Sequence, residues 1–240
     1  LFKSLADRLP NFKRETEFIA LTDPSEYALY DGKIASSDTG TAPVKEYLTF
    51  TNEYVIPQST AKWAKHVRES YMVGALARLN INYKKLSPLA QKTAEKFNLL
   101  PMCYNPFMNN IAQLIEVVQS VEDSIRLINE LEAAGLKPQP DYNNPEVKIK
   151  AGRGVGAIEV PRGILFHDYT FNDKGVCTKA NCIIPTNQNH GNIQKDFEKL
   201  VPEIIDEGED AVRLKLEMLV RAYDPCISCS THMLNVQFIK

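Results

Sequence analysis

One stretch sets the scale of anything this chain can fold into. From Asn105-Pro106 to Gly135 the apolar residues Ile111, Leu114, Ile115, Val118, Val121, Ile125, Ile128 and Leu131 recur at helical spacing, which predicts one uninterrupted helix with a single apolar stripe. Asn105 suits the N-cap, Pro106 the first helical position and Gly135 the stop. At ~1.5 Å per residue such a helix runs about 40 Å and forms the axis of a helical bundle. Glu116 and Glu122 read as part of its solvated face. Pro138, Pro140 and Pro145 read as a stiff linker, so residues 1–137 form a hairpin-plus-bundle part and residues 138–240 a part made of a β-hairpin and helices. The expected class is α+β, a mainly helical bundle core with small antiparallel β units.

The first part reads as scaffold. Tyr27, Leu29, Asp31-Gly32 and Ile34 suggest a tight hairpin, and Val44, Tyr47, Leu48, Thr51 and Tyr54 a helix stopped by Pro57. The run Ser70-Tyr-Met-Val-Gly74-Ala-Leu-Ala-Arg-Leu-Asn80 is small enough for backbones to approach closely. His66 has no cysteine or carboxylate at ligand spacing and reads as a surface or packing histidine. In the second part Gly152, Gly154 and Gly156 look like a phosphate-cradling loop, but Pro161 and the strand-like residues 164–171 follow where such a loop needs a helix. The glycines are therefore expected to allow close approach, with Arg162 delivered to whatever is approached. Asn172-Asp-Lys-Gly175 turns the chain into a second strand over 176–184, which ends in a polar loop, Pro185-Thr186-Asn187-Gln188-Asn189. Two helices follow, one carrying Ile193, Phe197 and Leu200 and the other Val212, Leu216, Leu219 and Val220. The second aims the chain at Asp224-Pro225-Cys226.

There the chemistry concentrates. Cys226 and Cys229, with His232 two residues beyond, bring two soft thiolates and an imidazole within reach of one metal ion. One reading is a zinc half-site completed by Cys177 and Cys182, although strand alternation points that pair to opposite faces. Another is a redox pair, although no small βαβ unit surrounds it. A net charge of −2 and a pI near 6.2 leave no electrostatic footprint for nucleic acid, and no apolar run reaches the roughly 18 residues of a membrane span. Five cysteines without a signal peptide point to a reducing, cytoplasmic setting. The chain opens at Leu1-Phe-Lys-Ser without an initiator methionine, so a fragment is expected.

Taken together, three motifs carry a family resemblance. Asp224-Pro-Cys-Ile-Ser-Cys-Ser-Thr-His232 resembles the C-terminal D-P-C-x-x-C-x-x-H signature of the large subunit of nickel-iron hydrogenases. Gly156-Ala-Ile-Glu-Val-Pro-Arg-Gly-Ile-Leu-Phe-His167 is similar to that family's G-x-x-E-x-P-R-G-x-L-x-H stretch, and Ile184-Pro-Thr-Asn-Gln-Asn189 to its V-P-[ST]-x-x-N stretch. The surrounding residues look like those of cytosolic multi-subunit members that couple hydrogen to NAD(P), coenzyme F420, ferredoxin or disulfide carriers. The similarity extends through Ser70 to Asn80 and Asn105 to Gln113.

The resemblance implies reversible, heterolytic oxidation of H2, with electrons leaving through the iron-sulfur clusters of a small partner subunit, then through further electron-transfer subunits. Cys226 would be a terminal nickel thiolate and Cys229 a thiolate bridging to an iron that carries carbonyl and cyanide. Arg162 would face the open side of the metals and donate to one cyanide, Asp224 would fix that arginine, and Thr186 would donate to the other cyanide. Pro161 belongs to the same motif, and Leu165 and Pro185 would form a dry wall. His232, with the backbone carbonyl of Cys182, would bind magnesium. The base would be a thiolate, of Cys226 or of a cysteine elsewhere, more readily than Arg162. The family's N-terminal cysteine pair is not in this sequence, so the 240 residues alone are expected to be inactive. Residues 233–240 would be removed by a maturation endopeptidase or retained as an edge strand. Two other readings are a zinc-stabilised binding protein and a metal-free relative from proton-pumping quinone reductases.

Overall fold

The computed structural model describes residues 2–135 and 148–226. A short helix, α1 (Phe2–Ala6), leads to β1 (Glu17–Thr22), whose first five residues are all buried. Phe18 enters a helical core while Ile19 and Leu21 enter a second core formed by strands. With both faces covered, β1 reads as a continuous apolar run and not as an alternation, which hides it from periodicity. It pairs antiparallel with β2 (Lys33–Ser36), which pairs with β3 (Gly40–Ala42). Asp31-Gly32 therefore does not form the tight turn expected; it closes a longer excursion between β1 and β2. The helix expected from Val44 is a 3-10 turn, Val44–Thr49, followed by β4 (Asn52–Tyr54), which pairs with β5 (Trp63–Lys65). β6 (Tyr71–Met72) runs parallel to β1 and completes a four-stranded sheet in the order β3-β2-β1-β6.

Gly74, at φ +115°, turns the chain from β6 into α2 (Ala75–Asn82), and α3 (Pro88–Lys96) follows. Asn105 accepts a hydrogen bond from the Phe107 amide at 3.0 Å, Pro106 opens a 3-10 turn, and α4 (Asn109–Ala134) runs to Gly135 at φ +75°. Gly135 stops the helix as the sequence implies, whereas Asn105 and Pro106 cap and open the 3-10 turn that leads into it and not α4 itself. Its stripe does not stay on one side of a core: Ile111 and Ile115 are buried, whereas Val121, Ile125, Ile128 and Leu131 are 53–56% exposed.

The second part opens with three antiparallel strands, β7 (Gly152–Val160), β8 (Gly163–Phe171) and β9 (Cys177–Ile183). A Cβ on Gly152, Gly154 or Gly156 would meet nothing within 4 Å, so within the described chain these glycines answer no close approach. α5 (Pro185–Ile204) and α6 (Glu209–Ala222) close the described fold. Leu76, Ile115, Leu200 and Leu219 join one apolar cluster, so residues before 136 and after 147 share a core. The fold is α+β, and no helix among the described residues is long and apolar enough to cross a membrane.

Candidate metal centre

Three chain ends meet at one place. The first is the turn between β7 and β8, where Val160 pairs with Gly163 and Pro161-Arg162 form a two-residue loop. Gly163 sits at φ +138°, and a Cβ there would lie 2.4 Å from Val73 Cγ2, so only glycine seats this turn against the start of α2.

The second is the head of α5. Residues 185–189, expected as a polar loop, instead form the first turns of this helix and are buried. Pro185 starts it because a residue without an N–H costs nothing there. The polar side chains reach across to other elements. Asn189 accepts from the Val73 amide at 2.9 Å and donates to the Val73 carbonyl at 3.2 Å, and Gln188 donates to the Ile164 carbonyl at 2.7 Å.

The third is the end of α6. The Tyr223 hydroxyl donates to Asp196 at 2.5 Å and accepts from Asn192 Nδ2 at 2.7 Å, both on α5. Asn109, at the head of α4, donates to the Ala222 carbonyl at 2.8 Å and accepts from the Leu76 amide at 2.9 Å. Asp224 then takes φ +49°, a left-handed conformation uncommon outside glycine, and turns the chain toward Cys226.

These ends bring Arg162, Asp224, Thr186 and Cys226 together. Arg162 Nε donates to the Asp224 carbonyl at 2.6 Å, and its Nη2 to the carboxylate at 3.3 Å. Gln113 donates to the other carboxylate oxygen at 3.1 Å. The Cys226 amide donates to the Thr186 hydroxyl at 3.1 Å, so the buried threonine sets the backbone that carries the cysteine. Arg162 is 42% exposed and Asp224 35%, which leaves this side of the cluster open.

The remaining expected residues lie at differing removes from the cluster. Pro161 lines a cavity of about 470 Å³ with Arg78, Gln113 and Glu116. Leu165 sits on the β8 face opposite buried Ile164 and Phe166, lining another cavity of about 460 Å³ with Gly156 and His167. Cys182 is exposed on β9, its sulfur 3.4 Å from the Tyr169 hydroxyl. His66 packs on Phe50 and pairs with Glu17 at 2.5 Å. Cys229 and His232, the prolines 138, 140 and 145, and the tail after residue 232 lie outside the described residues.

Glu116 departs furthest from expectation. Far from forming a solvated face, it accepts two hydrogen bonds from buried Arg78, at 2.6 and 2.7 Å, and one from the Tyr27 hydroxyl at 2.7 Å. Burial pushes Glu159, the other carboxylate on Arg78, above the ordinary range, and the guanidinium opposes that push.

Does this cluster suit a metal held by thiolates? Among the described residues no group of three or more His, Cys, Asp or Glu side chains converges on one point, so a metal here needs donors from beyond them. The surroundings nevertheless suit a sulfur-bound anionic group: a permanent cation on Asp224 and a buried hydroxyl on the Cys226 amide, carried by separate rigid elements, hold the segment that bears the sulfur.

A family model described as nickel-dependent hydrogenase matches residues 15–232. The alpha subunit of sulfhydrogenase 1 from Pyrococcus furiosus is 33% identical over 210 residues, covering 88% of this chain and 48% of that protein. An F420-non-reducing hydrogenase subunit from Methanothermobacter marburgensis is 31% identical over 240 residues, covering 93% and 49%. A crystal structure of an NAD+-reducing nickel-iron hydrogenase in its H2-reduced state superposes with a TM-score of 0.74 at 26% identity, over 96% of this chain and 52% of that one. The chain thus spans about half the length of the relatives it matches.

Proposed function

The chain belongs to the nickel-dependent hydrogenase family, and from that membership we propose that it is the part of a cytoplasmic hydrogenase large subunit that carries half of a nickel-iron cradle. The observation that carries this reading is the convergence of Arg162, Asp224 and Thr186 on the segment bearing Cys226.

Cys226 and Cys229 would hold the metals from this side, and two cysteines from the rest of the large subunit would complete the thiolate set. A nickel-iron pair with carbonyl and cyanide on the iron supplies, when bound, the chemistry that splits H2 into protons and electrons. The protein's own residues do the rest. A thiolate, of Cys226 or of a cysteine elsewhere in the large subunit, would take the released proton, because a guanidinium is too weak a base. Arg162, a permanently charged forked donor, would donate to one cyanide on the iron, with Asp224 fixing its direction. Thr186 holds the Cys226 backbone and offers its hydroxyl to the second cyanide. Leu165 and Pro185 would form a dry wall near the diatomic ligands, with Pro161 beside Arg162 in the same motif. His232 and the Cys182 carbonyl would bind a magnesium ion that ties the C-terminal segment to β9. Electrons would pass to iron-sulfur clusters in a small subunit, then to a soluble carrier; a relative named as an NAD-reducing hydrogenase supports the carrier. A maturation endopeptidase would act on the residues after His232.

Infrared spectroscopy of the complete complex tests this. Bands from bound carbonyl and cyanide, with nickel by metal analysis, are expected; a complex that carries zinc and shows no such bands overturns the reading. The 240 residues alone should take up no hydrogen, since two thiolates cannot complete the nickel site.

A further inference from the structure

Arg78 lies in α2 at 1% exposure, one turn beyond Gly74. A guanidinium has five N–H donors, and here every one is used. Nε donates to Glu116 Oε1 at 2.6 Å, and Nη2 donates to Glu116 Oε2 at 2.7 Å and to the Pro161 carbonyl at 3.0 Å. Nη1 donates to Glu159 Oε2 at 2.8 Å and to the Val160 carbonyl at 2.9 Å. The carboxylates are themselves held, Glu116 by the Tyr27 hydroxyl at 2.7 Å and Glu159 by the Leu21 amide at 2.7 Å.

The two carbonyls are those immediately before Arg162. A two-residue hairpin loop ordinarily holds its shape by positive φ at its corners, which proline cannot adopt at the first of them. The Pro161-Arg162 turn therefore needs support from outside. Arg78 supplies it by binding the two carbonyls. Gly74 supplies more on another side, where an added Cβ would stand 3.2 Å from the Arg162 carbonyl.

We infer that Arg78, locked by Glu116 and Glu159, is the positioning residue for Arg162: it fixes the peptide from which that side chain reaches Asp224 and the Cys226 segment. This rests on the reading of Arg162 as the cation facing a nickel-iron group. Arg78 touches neither metal nor substrate in this scheme; it acts through the turn. Lysine in its place would keep the charge but present three donors from one atom, too few and too bunched for two carboxylates and two carbonyls.

The test uses the full large subunit in complex with its iron-sulfur partner. R78K should leave nickel content unchanged while amide hydrogen exchange in the 160–164 turn rises on the order of tenfold. Carbonyl and cyanide bands should shift, and H2 oxidation should fall on the order of tenfold or more, the scale of loss expected from a misplaced group. Combined with R162A, R78K should add no further band shift, because its effect passes through Arg162. Unchanged turn exchange together with wild-type bands in R78K overturns the assignment. If R78K fails to accumulate, E116Q, on the cavity rim, takes its place and should give the same changes at smaller size; wild-type exchange and bands there overturn the assignment equally. A wild-type complex lacking the bands overturns the nickel-iron reading instead, and the exchange rate of the turn still decides what Arg78 does.

Discussion

Gly163 shows how little room the Arg162 turn has. Replacing it with alanine places a methyl 2.4 Å from Val73 Cγ2 in a residue already at φ +138°. Strain at such a φ and overpacking of a buried neighbour together predict a loss of about 2–4 kcal/mol, read as a lower melting temperature. Gly154→Ala, with open space at its Cβ, should change stability by no more than about 0.5 kcal/mol. Asp168 supplies a pH dependence. Arg153 donates twice to its carboxylate at 2.8 Å and Tyr47 once at 2.9 Å, and the Arg153 hydrogen bonds, working against burial, bring the carboxyl down to about 2. The fold thus favours the ionised form, so this contribution is complete above the ordinary value of 3.8 and is lost as pH falls toward 2. Wild type should melt above Asp168→Asn at neutral pH, with the gap closing over that window; a gap independent of pH would exclude the pairing. At this scale Arg162, Asp224 and Cys226 are legible in the sequence because few residue types can do their chemistry. Glu116 is not, because its partners Arg78 and Tyr27 lie 38 and 89 positions away and nothing in a helix's own periodicity announces them.

α5 holds the site together through polar side chains, which is why its start looks like a loop in the sequence. The apolar spacing of Ile193 and Leu200 marks its middle, but the buried residues Thr186, Asn187, Gln188 and Asn189 carry no apolar period and resemble a loop until their distant partners are known. β1 escapes notice for the opposite reason, being apolar on both faces. The approximate length of α4 and its stop at Gly135 are legible because they depend on local chemistry alone. α6 meets α5 through Tyr223, whose hydroxyl joins Asp196 and Asn192 inside the core. Tyr223→Phe removes that group and leaves a buried carboxylate and a buried amide each short of a partner. The expected cost is about 1–3 kcal/mol by chemical denaturation. Because Asp224 and Cys226 follow directly, nickel retention in the assembled enzyme should fall as well. A variant as stable as wild type would show that the α6 terminus is anchored elsewhere.

Taken whole, the molecule has one long helix that its own core covers only in part. Val117, Val121, Ile125, Ile128 and Leu131 stand 53–59% exposed along α4, and Val117 and Val121 line the cavity that Pro161 borders. A contiguous apolar strip on a charged helix is unusual for a free surface. The chain matches about half the length of its relatives, and the strip begins beside the cluster that needs donors from elsewhere. On the proposed reading the remainder of the large subunit is the expected occupant, and laying it along α4 would carry its own segment to the Arg162 side of the site. Covering an exposed aliphatic side chain contributes roughly 1.5–3 kcal/mol, so the strip can hold two halves together. Ile125→Glu with Ile128→Glu should leave the melting of this chain within about 0.5 kcal/mol, since both residues already face water. Coexpressed with the rest of the subunit, the same double variant should yield little nickel-loaded complex, and amide exchange along the outer half of α4 should stay fast. Normal assembly with slowed exchange in that half would mean that the strip faces something else, and the missing thiolates would have to approach Cys226 from the open side of Arg162.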